Sequence, residues 1–241
     1  MSLYSVVKAT YKSLIPKKIR HAIFTNLPGK GLRRGLISTL ERTASHDEIY
    51  DADYYDDVVD RYMRNSAPSI ADSIMRDFAP TKVVDVGCGS GLLLQALQGR
   101  GASCQGFEYS LAGIEVCKSR GLEVTRFDIE TDAPPSVRAD LAISTEVAEH
   151  LPASCADRLV DFLAAISDQI AFTAAEPTGG PPGTDHVNEQ PRAYWIEKFE
   201  KRGYKLDAET AGRWQREWEQ AGVTPCYSNT IMVFRRTPLA A

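Results

Sequence analysis

The chain has 241 residues, of which 43% are hydrophobic and 25% charged, with a formal net charge of −4. That length suits one large α/β domain with additions, and the acidic balance argues against tight nucleic-acid binding by the chain as a whole. The charge is uneven. Lys8, Lys12, Lys17, Lys18, Arg20, Lys30, Arg33, Arg34 and Arg42 face only Glu41 in residues 1–42, which leaves −12 on the rest. A basic arm of this kind fits an anionic substrate, an acidic membrane, a partner's acidic body or a solvated helical extension. Cys88, Cys104, Cys117, Cys155 and Cys226 are scattered, odd in number and form no C-x-x-C, so they read as reduced thiols of a cytoplasmic protein. No apolar run approaches spanning length, and Lys8 and Lys12 interrupt any signal-peptide core.

In chain order, residues 1–65 read as a helical N-terminal extension or lid, broken at Pro16 and at Pro28-Gly29. A helix is expected over 66–78, with Ser66 as N-cap and Pro68 in its first turn. From there strands and helices alternate. Strands are expected at 82–87, 102–110, 122–129, 139–147 and 169–177, and helices at 90–101, 111–121, 154–167 and 191–204. The end reads as strand 205–211, a Trp-rich segment with Trp214 and Trp218 on a helix, and strand 229–236. The pattern predicts a Rossmann-like, doubly wound seven-stranded sheet, closed by an antiparallel edge hairpin. A long loop, 176–190, follows the fifth strand, and long loops in compact domains tend to be functional.

The most specific stretch is "VVDVGCGSGLLL". An apolar strand containing Asp85 runs into Gly87, Cys88, Gly89, Ser90 and Gly91, then straight into a helix. Glycines there permit a tight turn and close approach of a ligand to the backbone. Position 92 is Leu, so the dinucleotide fingerprint is incomplete, and no G-K-[ST] follows; a ligand without phosphates fits better. Glu108, 21 residues after Gly87, ends the second strand and is placed to accept hydrogen bonds from both hydroxyls of a ribose. Asp128 ends the third.

Asp85, "GCGSG", Glu108 and Asp128 in this order resemble the class I S-adenosylmethionine-dependent methyltransferases, over about residues 66–236 of a domain taken as 66–241. The resemblance implies S-adenosylmethionine against Asp85, Gly87, Cys88, Gly89 and Gly91. It implies Glu108 and Tyr109 at the ribose, Asp128 and Ile129 at the adenine, and Glu146 toward the methionine end. One departure is "AISDQIAF", where many members have a K-P-G-G turn before the fifth strand.

"STEVAEHLP" places Glu146, Glu149 and His150 at i, i+3 and i+4, which on a helical turn share a face. Glu146 ends the fourth strand and His186 follows the fifth, so both segments converge over one sheet edge. "EVAEHL" with a downstream His resembles ubiquinone-type O-methyltransferases and small-RNA 3′-end 2′-O-methyltransferases. That resemblance makes Glu146, Glu149, His150 and His186 ligands of a divalent metal, Mg²⁺, Mn²⁺, Fe²⁺ or Zn²⁺. Two other readings stand beside it: a metal-free site with His150 or His186 as general base, and a structural cluster. Tyr54 and Tyr55 are read as lid or packing residues. Tyr194, Trp195, Trp214 and Trp218 are read as core, and Arg192 and Arg213 are weaker candidates for an anionic acceptor. The function expected is methyl transfer to a hydroxyl of a small molecule (a sugar, a phenol or a natural-product intermediate), with catalysis by His150, His186 and Glu146. The rivals are N- or C-methylation, RNA 2′-O-methylation and a non-catalytic S-adenosylmethionine-binding partner protein. A homodimer through the N-terminal helices is a further expectation.

Overall fold

The computed structural model describes residues 3–14, 45–178 and 183–237. The expected breaks at Pro16 and Pro28-Gly29, His21, the basic residues Lys17, Lys18, Arg20, Lys30, Arg33, Arg34 and Arg42, and residues 179–182 of the long loop lie outside these.

The sheet has seven strands: β1 (Lys82–Val86), β2 (Ser103–Glu108), β3 (Glu123–Arg126), β4 (Leu141–Thr145), β5 (Gln169–Thr173), β6 (Tyr204–Leu206) and β7 (Met232–Arg236). Their spatial order is β3-β2-β1-β4-β5-β7-β6. The first five are parallel and β7 runs antiparallel to both β5 and β6. The order reverses between β1 and β4, the place where doubly wound sheets bind ligands at the carboxyl ends of their strands.

Alternation along the strands feeds two cores. Val83 faces one side of β1 and Val84 and Val86 the other, as the strand period of two requires. On the first side lie α4 (Asp60–Phe78), α5 (Leu92–Gln98) and α9 (Ala208–Gln220), contributing Ile70, Ile74, Leu94, Leu97, Trp214 and Trp218. On the second lie α7 (Ala156–Ile166) and α8 (Arg192–Glu200), contributing Leu159, Phe162, Leu163, Trp195 and Phe199. Between β2 and β3 runs α6 (Leu111–Ser119). The tryptophans are core as expected: Trp214 and Trp218 stack 5.3 Å apart, and their ring N–H groups donate to Asp77 and Ser73. The two candidate arginines are also engaged structurally. Arg213 pairs with Asp77 at 2.8 Å, and Arg192 donates to the carbonyls of Asn229 and Ile231.

Two expectations are corrected. Ser66 caps nothing: α4 starts at Asp60 and runs through Pro68, because Met63, Ala67, Ile70, Ala71 and Ile74 form one buried helical stripe. The Ser66 hydroxyl instead donates to the Tyr62 carbonyl. Residues 208–211 are helix, not strand, because Asp207 accepts from the Thr210 amide at 3.0 Å and caps α9. The expected antiparallel pair at the sheet edge is present as β7 and β6. Met232, Val233 and Phe234 are fully buried, so β7 inserts between β5 and the short β6, whose Lys205 is exposed.

N-terminal to α4 lie α1 (Leu3–Leu14), α2 (His46–Ile49), α3 (Ala52–Tyr54) and a π-helical turn, Tyr55–Val59. Lys8 anchors α1 to this segment through Asp51 at 3.1 Å and the carbonyls of Glu48 and Ile49. Among the described residues no helix is long and apolar enough to cross a membrane.

Candidate functional site

The glycine loop leaves β1 and enters α5 with Gly87, Gly89 and Gly91 all at positive φ. At two positions the surroundings also demand glycine. A Cβ on Gly87 would strike the side chain of Val147, and one on Gly91 would lie 2.9 Å from Cys117 Sγ and closer still to Leu122. Asp85, just before the loop, is buried and its Oδ1 has no hydrogen-bond partner. Burial, reinforced by the charge of Glu108, pushes its pKa up to about 8. A buried carboxyl lacking a donor is the kind of group that a cationic ligand satisfies.

Glu108 closes the far side. It accepts from the Gly89 amide at 2.8 Å through one oxygen, and from the Tyr109 and Ser110 amides at 2.9 and 2.8 Å through the other. Burial raises its pKa and these amides oppose the shift. Asp128 is held in its own turn, accepting from the Glu130 amide and the Thr131 hydroxyl. Tyr109 and Asp128 line an open cleft of about 290 Å³ with Arg126, Thr131 and Asp132. Ile129, partly buried, packs on the second core. Asp85, the loop, Glu108 and Asp128 thus lie at the carboxyl ends of three neighbouring parallel strands. They fit S-adenosylmethionine, with the orphaned Asp85 carboxyl and the glycine-only turn as the structural grounds.

The N-terminal segment lies over this edge. Tyr55 is buried, its ring against Gly113 and Gly89 and its hydroxyl beside Glu108 and Ser110. Tyr54 packs edge-on against both Tyr55 and Tyr50. His46 stacks on Tyr50 at 4.2 Å and meets Tyr109 edge-on at 4.5 Å. Ser110 ties this segment down by donating to the Tyr50 carbonyl.

The third group gathers beyond β4 and β5. Glu146 is not on a helical turn with Glu149 and His150, as the spacing suggested. It sits at the strand end with φ of 55°, and the 3₁₀ turn is Ala148–His150. A left-handed non-glycine residue is strained, and such strain clusters at functional sites. The Glu146 amide is held by Thr173 and its carboxyl accepts from Thr230. Burial pushes its pKa up to about 7. Glu149 is 0% exposed and neither of its oxygens has a hydrogen bond of good geometry; their nearest polar neighbours are the Glu146 carboxyl and the Glu149 and Ala175 amides. Burial and the neighbouring Glu146 hold its pKa well above the carboxylate range. The loop after β5 is pinned to this turn, since the Val187 and Asn188 amides both donate to the Glu149 carbonyl. His186 is thereby brought to His150, with ring centroids 4.8 Å apart and nearly perpendicular. One potential ligand atom each from Glu149, His150 and His186 lies within 4.8 Å of the others. Burial pushes the His150 pKa down to about 3, so its ring is neutral and free to ligate, and it is a weak proton acceptor. The buried Glu149 carboxyl and the two imidazoles fit a divalent cation; Glu146 neighbours Glu149 but is outside the group of three.

Sequence reasoning missed His46, Tyr50, Asp185, Glu189 and Thr230. Tyr50 Oη lies 2.9 Å from His150 Nδ1, and Glu189 Oε1 lies 2.7 Å from His186 Nδ1. The i, i+3 spacing of His186 and Glu189 was a usable signal; nothing in the sequence links Tyr50 to a residue 100 positions away.

Residues 50–209 match the profile of a family described as a methyltransferase domain. No curated protein matches the chain. Among solved structures, a Haloferax volcanii methyltransferase in complex with the Trm112 methyltransferase activator is 17% identical, with a TM-score of 0.57 over 81% of this chain and 100% of that one. The DhpI–SAH complex is 16% identical, with a TM-score of 0.56 over the same 81% and 100%. The Synechocystis magnesium protoporphyrin IX methyltransferase with bound SAM is 16% identical, with a TM-score of 0.53 over 75% and 84%. At these identities the likeness is one of fold.

Proposed function

The chain belongs to this methyltransferase-domain family and is an S-adenosylmethionine-dependent methyltransferase, and we propose on that footing that its acceptor is a hydroxyl group of a small molecule, activated at a divalent cation site. The observation that carries this reading is the meeting of Glu149, His150 and His186, with a fully buried Glu149 whose oxygens make no hydrogen bond of good geometry. A carboxylate in that position is costly unless a cation or a proton balances it.

S-adenosylmethionine supplies an electrophilic methyl for a single in-line displacement. The glycine loop and Glu108 would seat it beneath the lid segment, with Asp85 near its ammonium end. Glu149, His150 and His186 would hold the cation, which would lower the pKa of a coordinated hydroxyl and fix its oxygen. Glu146 shares the buried acidic environment and keeps the pair from carrying two full charges in the absence of a cation. Tyr50, which reaches His150, covers the acceptor edge, and Tyr55 covers the glycine loop and Glu108. Methyl transfer needs that alignment more than it needs a strong base. The acidic body supports a small acceptor over RNA. In this reading α1, whose Val6 and Val7 are exposed, serves a homodimer contact.

A second reading has its own observation. His186 is paired with Glu189 at 2.7 Å, an arrangement that suits a general base without metal and admits N- or C-methylation. Elemental analysis of the purified protein, with turnover measured in the presence of a chelator, separates the two. The metal reading expects a bound divalent ion, lost in Glu149→Gln, and chelator-sensitive turnover on a hydroxyl acceptor. A metal-free protein with chelator-indifferent turnover sinks it.

A further inference from the structure

We propose that Glu189 and the Tyr50–Asp185 pair are positioning residues that hold His186 and His150, respectively, by Nδ1, so that Nε2 is the unprotonated nitrogen of both rings. The proposal deepens the reading above and rests on the placement of these two histidines at the acceptor site.

The proton arrangement follows from which atoms can donate. Nδ1 of His186 lies 2.7 Å from Glu189 Oε1, which also accepts from the Gly183 amide at 3.2 Å. A carboxylate oxygen accepts and has no proton to give, so Nδ1 carries the hydrogen. The ring is held on its face as well. A Cβ on Gly183 would fall 2.5 Å from Nε2 and 2.7 Å from Nδ1 of His186, so the imidazole lies directly on that backbone.

Nδ1 of His150 has two oxygen neighbours, Tyr50 Oη at 2.9 Å and the Asp185 carbonyl at 3.3 Å. The carbonyl can only accept. The Tyr50 hydroxyl donates to Asp185 Oδ2 at 3.2 Å, which leaves its own oxygen to accept from Nδ1–H. In this assignment each of these donors meets an acceptor. The opposite one sets a ring lone pair against the Asp185 carbonyl. Asp185 is itself held at φ of 54°, the second left-handed non-glycine residue bordering the site after Glu146.

The two rings therefore offer the same atom type, and they are fixed from different directions. His186 is set within its own loop. His150 is set by a tyrosine of the N-terminal segment, so seating of the lid and the tautomer of His150 are one event. Partners of this kind fix tautomer and ring direction in metal sites and in general bases alike.

The test is histidine-selective ¹⁵N NMR of the full-length protein in chelator, with long-range proton–nitrogen correlation and assignment by single replacement of each of the four histidines. Protonated Nδ1 and bare Nε2 are expected for His150 and His186. Glu189→Ala should move His186 toward protonated Nε2 and leave His150 unchanged. Glu189→Gln keeps an acceptor oxygen and should retain the wild-type pattern. Tyr50→Phe should shift the His150 resonances and leave the His186 tautomer unchanged; His46 stacks on the same ring and is left out of the comparison. Protonated Nε2 on His186 or His150 in the wild-type protein overturns the proposal, whether or not the variants fold. An unchanged His186 in Glu189→Ala, or an unchanged His150 in Tyr50→Phe, also overturns it. The spectra are read without turnover. The expected tautomers in a protein that binds no metal and methylates no hydroxyl would therefore sink the functional reading alone. Reversed tautomers in an active hydroxyl methyltransferase would sink this inference alone.

Discussion

The Gly89 amide donates to Glu108 Oε2 at 2.8 Å, so the glycine loop after β1 and the acidic end of β2 are one hydrogen-bonded unit. Glu108 is thus both a candidate ribose ligand and the acceptor that shapes the loop around the cofactor. Glu108→Ala removes the acceptor of three amides and should weaken S-adenosylmethionine binding by about tenfold or more, with a loss of stability on the order of 1–3 kcal/mol. Calorimetric titration at a temperature where the variant is folded checks the first, and thermal unfolding the second. Unchanged affinity would remove Glu108 from the ribose.

The cofactor half of the site was legible in the sequence because it is local. An apolar strand, a glycine run and a strand-end acid each sit within a few residues, and their order is the order of parallel strands. The acceptor half was legible only in part. His150 and His186 were found because β4 and β5 were expected to be neighbours, and they are. Tyr50 and Asp185 were not, since their meeting depends on how the N-terminal segment folds back over the sheet. Pro68 misled for a related reason. Its local preference to start a helix was outweighed by the buried stripe from Met63 to Ile74, which is a tertiary contact. Asp207 was readable as a cap in hindsight, three residues before Thr210.

Asp85 provides a pH test. Its folded pKa, raised to about 8 by burial, lies above its unfolded value of 3.8. A raised acid pKa gives stability that is fully present below the unfolded value and is lost as pH climbs through the folded one. In the cofactor-free protein, the Tm advantage of Asp85→Asn over the wild type should therefore be smallest near pH 4. It should widen up to about pH 8 and then level off. A gap that does not change with pH would mean that Asp85 is not held protonated.

Gly183 carries no side chain because the His186 ring lies on it. Gly183→Ala should push the imidazole away while leaving the cofactor edge untouched. Displacing a reacting group by about 1 Å costs up to roughly a hundredfold in rate. The expected result is a turnover lower by about ten- to a hundredfold with S-adenosylmethionine affinity within about twofold of wild type. Wild-type turnover would show that the position of His186 does not matter to the reaction.

Glu149→Gln separates stability from function most sharply. The wild-type carboxyl is fully buried, without a hydrogen bond of good geometry, and pressed against Glu146. The metal-free folded protein must keep this group protonated, a cost that a neutral amide of the same shape does not carry, so the metal-free variant should be more stable by on the order of 1 kcal/mol. For a chain of this length that corresponds to a rise of about 2–4 °C in Tm. The same change removes the anionic ligand and should abolish both cation binding and turnover. Stability bought at the expense of activity is the signature of a group kept for its chemistry. A variant that is both destabilised and fully active would place Glu149 among the structural residues instead.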